Sequence, residues 1–399
     1  MGDNFKGWTE TTVGDFSPFL YGKGLAERQR NQLGSVPVFG SNGVIGTHTE
    51  ALVNNAGIVI GRKGTVGAVH FCKGPFWPID TAFYVESKPD REIRYIYYLL
   101  RSLGLEHMNA DSAVPGLNRV AAHSRKILIP PLTEQKAIAS ILGALDDKIE
   151  LNRKMNETLE AMARALFKSW FVDFDPIPGL GPHKEWQDSP LGRIPKGWRV
   201  RKIRECCSRV ENGGTPRREE PEYWKSATIP WLTSGEVRQS IVAITENMIS
   251  EQGLANSSAK LWPKGTTVVA LYGATAGQVC FLANEMCANQ ACCGLVPVQN
   301  MQFFNYLNAS SSVKQLEQQA RGSAQQNLSQ QIVADLPVII PDAAVLNRFE
   351  EVVKPLFEKW ILHIEQSRTL ASIRDALLPK LLSGEIRIKD AERFVEEKI

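Results

Sequence analysis

The chain has 399 residues, 43% of them hydrophobic and 22% charged, with a net charge of +3. This is an ordinary globular composition, long enough for two or three cores, which excludes a disordered or fibrous chain. No apolar run reaches the roughly 18 residues of a membrane span, and the start MGDNFKGWTE has neither the basic nor the apolar region of a secretory signal, so a cytoplasmic protein with no membrane partner is expected.

In chain order, residues 1–131 read as a first domain of short strands broken by glycines, with alternation in NAGIVIGRKGTVGAVHF. REIRYIYYLLRSLGL (91–105) predicts a short helix packed on them. ILIPP (127–131) precedes Thr133, the expected N-cap of a long helix. That helix, 132–170, carries a seam of Ile138, Leu142, Leu145, Ile149, Asn152, Asn156, Leu159, Ala163 and Leu166. The steps alternate between four and three, which is a coiled-coil heptad and requires a partner helix. Two amides on such a seam fix its register at some cost in stability.

After a linker (171–195), the sequence repeats itself. KGW at 6–8 returns at 196–198, IVIGRKGTVGAVHF (58–71) returns as VVALYGATAGQVCF (268–281), and ILIPP returns as VIIPD (338–342). An insertion of roughly 20 residues near GGTPRREEPEYW (213–224) accounts for the change of offset between the first match and the second. A second domain, 196–341, is therefore expected, with MQFFNYLNASSSVKQLEQQA (301–320) as its short helix. Asp342 is placed to cap a second long helix, 342–382, and residues 383–399 are left as a tail.

The second seam is Phe349, Val353, Leu356, Trp360, His363, Ser367, Leu370, Arg374 and Leu377, again in steps of four and three. Packed antiparallel, the two seams set Asn152 and Asn156 against His363 and Ser367, polar on polar. A slip of one heptad would bury at least one of them against aliphatic carbon, at roughly 1–3 kcal/mol each. The competing reading is a partly solvated stretch of seam. Pro355 inside the second helix predicts a kink, or a helix that effectively starts there. The fold class expected is α+β, internally duplicated: two mixed α/β domains separated by two long helices that form an antiparallel coiled coil. A helix of about 35 residues is roughly 50 Å long.

Charge separates by segment. Residues 1–131 carry 14 Lys and Arg against 11 Asp and Glu, and 183–341 carry 16 against 13; 132–182 carry 6 against 8, and 342–399 carry 10 against 11. Two mildly basic bodies on slightly acidic rods fit nucleic-acid contact, although differences of this size also occur in proteins that bind nothing charged. The inventory of chemistry is thin. There is no GxxxxGK phosphate loop; FDPIPG (174–179) fails as an amino-methyltransferase motif; GRKGTVG (61–67) has the wrong spacing for a dinucleotide loop; Glu396, Glu397 and Lys398 are a solvated charged tail rather than a nuclease cluster. Cys287, Cys292 and Cys293 lack CxxC spacing and a nearby His, so they read as buried thiols rather than a zinc site. Seven cysteines, six of them in the second half, suit a reducing compartment. No catalytic residue, metal or bound cofactor is expected, and the chain reads as a binder.

Candidate DNA contacts fall in polar, turn-rich stretches. Arg62 and Lys63 in GRKGTVG offer cations and backbone amides to phosphates; the competing reading is tight-turn glycines. The second copy is aligned here with Leu271, Tyr272 and Gly273 against Gly61, Arg62 and Lys63, a difference that either two readers of different DNA words or simple drift would produce. The other candidates are Ser41 and Asn42 in FGSNGVIGTH (39–48), Asn118 and Arg119 in SAVPGLNR (112–119), Thr215, Arg217 and Arg218 in NGGTPRR (212–218), and Gln325, Gln326 and Asn327 in GSAQQNLSQQ (322–331). Arg and Lys suit guanine edges, and Asn and Gln suit adenine edges. Structural or phosphate-facing roles are commoner for each residue taken alone.

The duplicated plan, the segment ILIPPLTEQKAIASILGALDDKIELNRKMNETLEAMARALFKSWFVDFDP (127–176), GSNGVIG, GGTP and the ending LLPKLLSGEI (377–386) resemble the DNA-specificity subunit of Type I restriction-modification systems, over nearly the whole chain. The resemblance implies one target recognition domain in each half, long helices paired antiparallel, and a split DNA target gripped as two half-sites. It also implies two methyltransferase subunits and restriction subunits as partners, with S-adenosylmethionine, ATP and Mg bound by them and none by this chain. Pro130, Pro131, Glu134 and Gln135 match the entry to the first helix; the second copy is read as having Leu346 and Asn347 in place of Glu134 and Gln135, so the helix-end contacts should be asymmetric. Base-reading residues vary within the family and do not transfer by position. Two other readings compete with that of a sequence-specific DNA-binding subunit. One is a single-chain DNA-modifying enzyme with unrecognised motifs, favoured by activity of the pure chain; the other is a protein-binding scaffold, favoured by failure to retain any DNA.

Overall fold

A computed structural model describes residues 7–108, 116–321 and 327–398. In the first half, strands β1 (Thr9–Thr12), β2 (Leu20–Tyr21), β3 (Val36–Gly40), β4 (Gly43–His48), β5 (Gly57–Gly61), β6 (Val69–Cys72), β7 (Trp77–Pro78), β8 (Ala82–Glu86) and β9 (Lys126–Ile129) are joined by helices α1 (Val13–Phe16), α2 (Ile93–Ser102) and α3 (Arg119–His123). The long helix α4 (Leu132–Phe171) follows. A hairpin of β10 (Trp186–Ser189) and β11 (Gly192–Pro195) then leads to β12 (Arg199–Lys202), β13 (Cys207–Asn212), β14 (Ile229–Leu232), β15 (Ile241–Val242), β16 (Asn247–Ile249) and helix α5 (Glu251–Ala255). The second half continues through β17 (Thr267–Ala270), β18 (Val279–Leu282), β19 (Cys287–Ala288), β20 (Cys292–Pro297), helices α6 (Gln302–Ser311), α7 (Val313–Arg321) and α8 (Gln330–Ala334), and β21 (Pro337–Ile340). It ends in the long helix α9 (Ala343–Leu382) and the short α10 (Ile388–Glu396).

The strand orders show the duplication directly. Sheet β2-β8-β5-β6 has its counterpart in β13-β20-β17-β18, extended by β15; β4-β3-β7 has its counterpart in β16-β14-β19; and the pair β1-β9 in β12-β21. The registers correct the sequence alignment by one residue. Ile58 stands opposite Phe71 and Val85, and Thr267 stands opposite Phe281 and Leu295. The loop closed by the Gly67 N–H on the Gly61 carbonyl is closed in the second copy by Gly277 on Ala270, one residue longer. Arg62 therefore corresponds to Leu271 and Lys63 to Tyr272. The same check at the helix entry places Val345 and Leu346, not Leu346 and Asn347, at the positions of Glu134 and Gln135, because β9 and β21 and the helices that follow them are in step.

The chain forms two compact units, residues 1–150 with 367–399, and residues 151–366. Each is held by a stretch of α4 packed on a stretch of α9. In the first unit Ile138, Leu142 and Leu145 share a core with Leu370, Ile373, Leu377 and Leu381, with the sheet residues Ile58 and Phe83, and with Ala391 of α10. In the second, Ala163, Phe167, Trp170 and Phe171 share one with Phe349, Val353, Phe357 and Trp360. Burying each of these large side chains contributes about 1.5–3 kcal/mol, which is why two amphipathic rods are stable only as a pair. The buried faces are wider than the heptad predicts. Phe357 and Ile373 are buried although they lie off the seam, and Leu356 and Arg374 on the seam are half-buried, because each helix meets a domain as well as its partner helix.

Polar contacts fix the register. His363 Nδ1 lies 2.9 Å from Asn156 Oδ1, and Asn152 Nδ2 donates to Gln366 Oε1 at 3.0 Å and to the His363 carbonyl at 3.5 Å. Asp146 accepts from Arg374 Nη1 at 2.7 Å and from the Tyr98 hydroxyl at 2.6 Å. Numbers rise on one helix as they fall on the other, so the pairing is antiparallel. Ser367 is half-buried, and Gln366, one residue off the seam, also accepts from the Asn152 amide.

Several local expectations are corrected. Helix α4 begins at Leu132, and its first bonds run from the Glu134 and Gln135 amides to the Pro131 carbonyl, so Thr133 sits inside the first turn and is not the cap. Asp342 does cap α9, its Oδ1 accepting from Val345 N at 2.9 Å. Helix α9 runs unbroken through Pro355, so it does not start there; Pro355 is exposed, where water can satisfy the carbonyl left without a partner. The helix expected over 301–320 is two, broken at Ser312, because the Ser311 and Ser312 hydroxyls both turn back to the Asn308 carbonyl. Residues 383–399, expected as a tail, include α10, whose Phe394 and Val395 pack against the core of the first unit. The helix-entry contacts differ between copies: Glu134 accepts from Trp8 Nε1 at 3.1 Å and Gln135 bridges Glu92 N and the Pro130 carbonyl, whereas Val345 and Leu346 are simply buried.

Candidate nucleic-acid interface

In the first unit, the loop after β5, the β3–β4 turn and the entry to α3 form one continuous edge. Ser41 and Asn42 make the two-residue turn between Gly40 and Gly43. A Cβ on Gly61 would fall 1.9 Å from the Thr65 carbonyl and 2.9 Å from that of Ser41, so glycine is required where turn and loop meet. Lys63 pairs through its backbone with Gly116, and Leu117 N donates to the Arg62 carbonyl at 2.9 Å. Lys63 is exposed and Arg62 half-buried. Ser41, Asn42, Arg62, Lys63, Asn118 and Arg119, scattered over nearly 80 residues of sequence, thus share one rim. Asn118 is committed to local structure there, its side-chain oxygen capping α3 through Ala121 N at 3.0 Å.

The side chains on this rim stack. The guanidinium of Arg62 lies 5.0 Å from the centre of the Tyr21 ring and 5.8 Å from that of Phe83, and its Nη1 donates to the Asp80 carbonyl at 3.0 Å. The guanidinium of Arg119 lies 5.0 Å from the same Tyr21 ring, which is 53% exposed. Beside it opens a cleft of about 740 Å³ lined by Asp15, Tyr21, Arg119, Val120 and His123 among others. His123 Nε2 accepts from Phe19 N at 2.9 Å, and burial, with the Arg119 charge, holds its pKa below the ordinary value, so the ring stays neutral at physiological pH.

The second unit builds the matched rim from other residues. Tyr272 pairs with Asn327, and Leu328 N donates to the Leu271 carbonyl at 2.8 Å, repeating the Lys63 and Arg62 contacts. Leu271, in the place of Arg62, is fully buried, while Tyr272 is 40% exposed. Thr215 donates to Gln290 Oε1, next to Ala291, whose carbonyl holds Leu271 N. Arg217 and Arg218 lie between β13 and β14. The registers match Tyr21 to Asn212 and Val38 to Trp231, steps of 17 and 19 residues, so the insertion expected in this segment is not there; most of the added length comes after β14. Trp224 Nε1 donates to the Arg217 carbonyl at 3.0 Å, and the Arg218 guanidinium sits 4.2 Å from the Trp224 ring and 5.2 Å from that of Trp231. Gln325 and Gln326 lie outside the described residues. Tyr21 and Trp224, the rings that carry these arginines, are absent from the sequence-based candidates.

Six cysteines are buried and Cys207 is half-buried; burial pushes the thiols of Cys206, Cys287 and Cys293 up to about 12, where they are inert. No helix among the described residues is long and apolar enough to cross a membrane.

The Type I restriction modification DNA specificity domain matches this chain twice, over residues 5–161 and 195–350. The chain belongs to that family. Each match spans one copy of the domain and runs into its long helix. The chain is 28% identical to the MjaIX specificity subunit of Methanocaldococcus jannaschii, over 86% of this chain and 82% of that one. It is 26% identical to the HindI specificity subunit of Haemophilus influenzae, over 68% and 71%. The S subunit of the Type I restriction-modification system from M. genitalium shares the fold, with a TM-score of 0.64 at 16% identity over 96% of this chain and 97% of that one. As a member of this family, the chain is a DNA-specificity subunit of a Type I restriction-modification system.

Proposed function

We propose that the two domains read the two halves of a split DNA target, and that the paired helices set the unread gap. The observation that carries this reading is the duplication with divergence at matched rims: one fold occurs twice, with Arg62 and Lys63 in the first loop against Leu271 and Tyr272 in the second. Each helix of 40 residues is about 60 Å long, more than the roughly 34–36 Å turn of B-DNA that separates half-sites on one face. The chain does no chemistry itself in this reading. Two methyltransferase subunits, with S-adenosylmethionine, act at the bound target by flipping a base; restriction subunits bring ATP and Mg; and the assembly works in the cytoplasm, where its DNA lies.

The test is methylome sequencing of a host that carries the chain with its methyltransferase. Inserting one heptad into both long helices should change the gap and leave each half-site as it was. Exchanging residues 1–131 for those of another family member should replace one half-site only. Altered half-sites at constant gap would refute the reading.

A further inference from the structure

We infer that Arg119, stacked on Tyr21 and backed by Arg62, reads a guanine in the half-site of the first domain, with Tyr21 and Arg62 as positioning residues. The inference rests on the reading of the chain as a DNA-specificity subunit and assigns the chemistry of one rim.

Three observations single out Arg119. Its guanidinium has Tyr21 as its ring partner at 5.0 Å, and a planar cation supported by a ring can still donate its edge N–H groups in pairs. Arg62 lies at the same distance from Tyr21, but one of its donors is spent on the Asp80 carbonyl and its plane is also held over Phe83. It therefore props the ring rather than reaching outward. Third, the cleft beside Arg119 is mixed in character. The Asp15 carboxylate and the exposed Val120 line it with Arg119, and a carboxylate repels a phosphate but suits the amino edge of a base. A donor fork beside a carboxylate and an aliphatic surface matches base edges better than backbone.

At the matched positions the second unit has neither the ring nor the two arginines. The strand registers place Asn212 where the first domain has Tyr21, since Tyr21 pairs with Phe83 and Asn212 with Cys293. The matched positions of Arg62 and Arg119 are Leu271, which is buried, and Gln330, which is turned onto the Val210 carbonyl at 2.6 Å. The guanine assignment thus belongs to the first half-site alone.

The experiment is a pull-down from a randomised duplex pool with the assembled methyltransferase complex, comparing wild type with Arg119→Ala, Arg119→Lys and Tyr21→Leu, at two salt concentrations. Arg119→Ala should relax the preference for guanine at one position of the first half-site by roughly tenfold to a hundredfold. Arg119→Lys should recover little of it, because an ammonium cannot donate a planar pair, and Tyr21→Leu should weaken the same position. The second half-site should be unchanged in all three, which also shows that the variants fold. Retention of the full guanine preference in Arg119→Ala would overturn the assignment. So would a uniform loss across all sequences with a shallower salt dependence, the behaviour of a phosphate contact. A wild-type complex that selects no sequence at all would instead defeat the specificity reading on which the assignment rests.

Discussion

Asp146 on the first long helix accepts from Arg374 Nη1 on the second at 2.7 Å, and the same carboxylate takes the Tyr98 hydroxyl at 2.6 Å. One acid therefore ties together α4, α9 and the short helix of the first domain. Both members of the ion pair are mostly buried, with side chains 15% and 20% exposed. Removing Arg374 leaves Asp146 with a half-desolvated charge, so Arg374→Ala should cost about 1–3 kcal/mol, read as a drop in the melting temperature. Asp146→Asn in the same background should restore part of the loss. Additive losses in that cycle would show that the two residues do not interact.

The Asn156 and His363 contact fixes register rather than adding strength. Asn156→Leu should destabilise the helix pair by about 1–3 kcal/mol, since it strands a buried imidazole nitrogen. Asn156→Leu combined with His363→Leu should recover most of that, or exceed wild type, because an apolar layer replaces a polar one. The check is chemical denaturation of the single and double variants. A double variant less stable than either single one would contradict it.

Glu350 links α9 to the second domain by accepting from the amides that open α6, Phe304 N at 2.8 Å and Phe303 N at 3.3 Å. Burial pushes its carboxyl up to about 7, in spite of those two hydrogen bonds. A carboxyl whose pKa is higher folded than unfolded stabilises most when protonated: its contribution is full below about 4.5 and is lost as the pH rises through about 7. The loss is on the order of 3 kcal/mol at most. Glu350→Gln should therefore reduce the difference in melting temperature between pH 5.5 and pH 8. An unchanged difference would show that the two amides and the helix dipole hold the carboxylate ionised without penalty.

In the second domain, Arg218→Ala should weaken DNA binding, and Trp224→Ala should mimic it by releasing the guanidinium it carries at 4.2 Å. The measurement is binding of the assembled complex to its own target as salt is varied. An Arg218 that touches a phosphate shows a salt slope smaller by roughly one unit; an unchanged affinity in both variants would remove this stack from the interface.

What the sequence disclosed follows from the range of the forces involved. The antiparallel rods were legible because a repeat of 3.5 residues is a strong periodic signal and its polar breaks, Asn152, Asn156 and His363, mark their own register. The strand order of each domain was legible only as a repeat, since pairings such as Ile58 with Val85 leave no local trace. The one-residue difference between the loops at Gly61 and Ala270 escaped detection because a single insertion in a glycine-rich stretch barely changes its pattern. Tyr21 escaped because its two arginines lie 41 and 98 positions away, joined to it by tertiary structure alone. Phe357 falls beside the heptad positions, where an ideal two-helix pattern predicts solvent, but Phe281, Phe303 and Tyr306 of the second domain pack on it; Gln366, also beside the seam, takes the Asn152 amide.

The long separation between the two rods also governs how the chain is made. Arg374 leaves the ribosome 228 residues after Asp146, which at about 5–20 residues per second is on the order of 10–45 s. During that interval Ile138, Leu142 and Leu145 are synthesised but lack the helix that covers them. The first domain thus completes its assembly last, after the second has been translated in full, and the cell must shelter an apolar stripe on a growing polypeptide for the whole of that time.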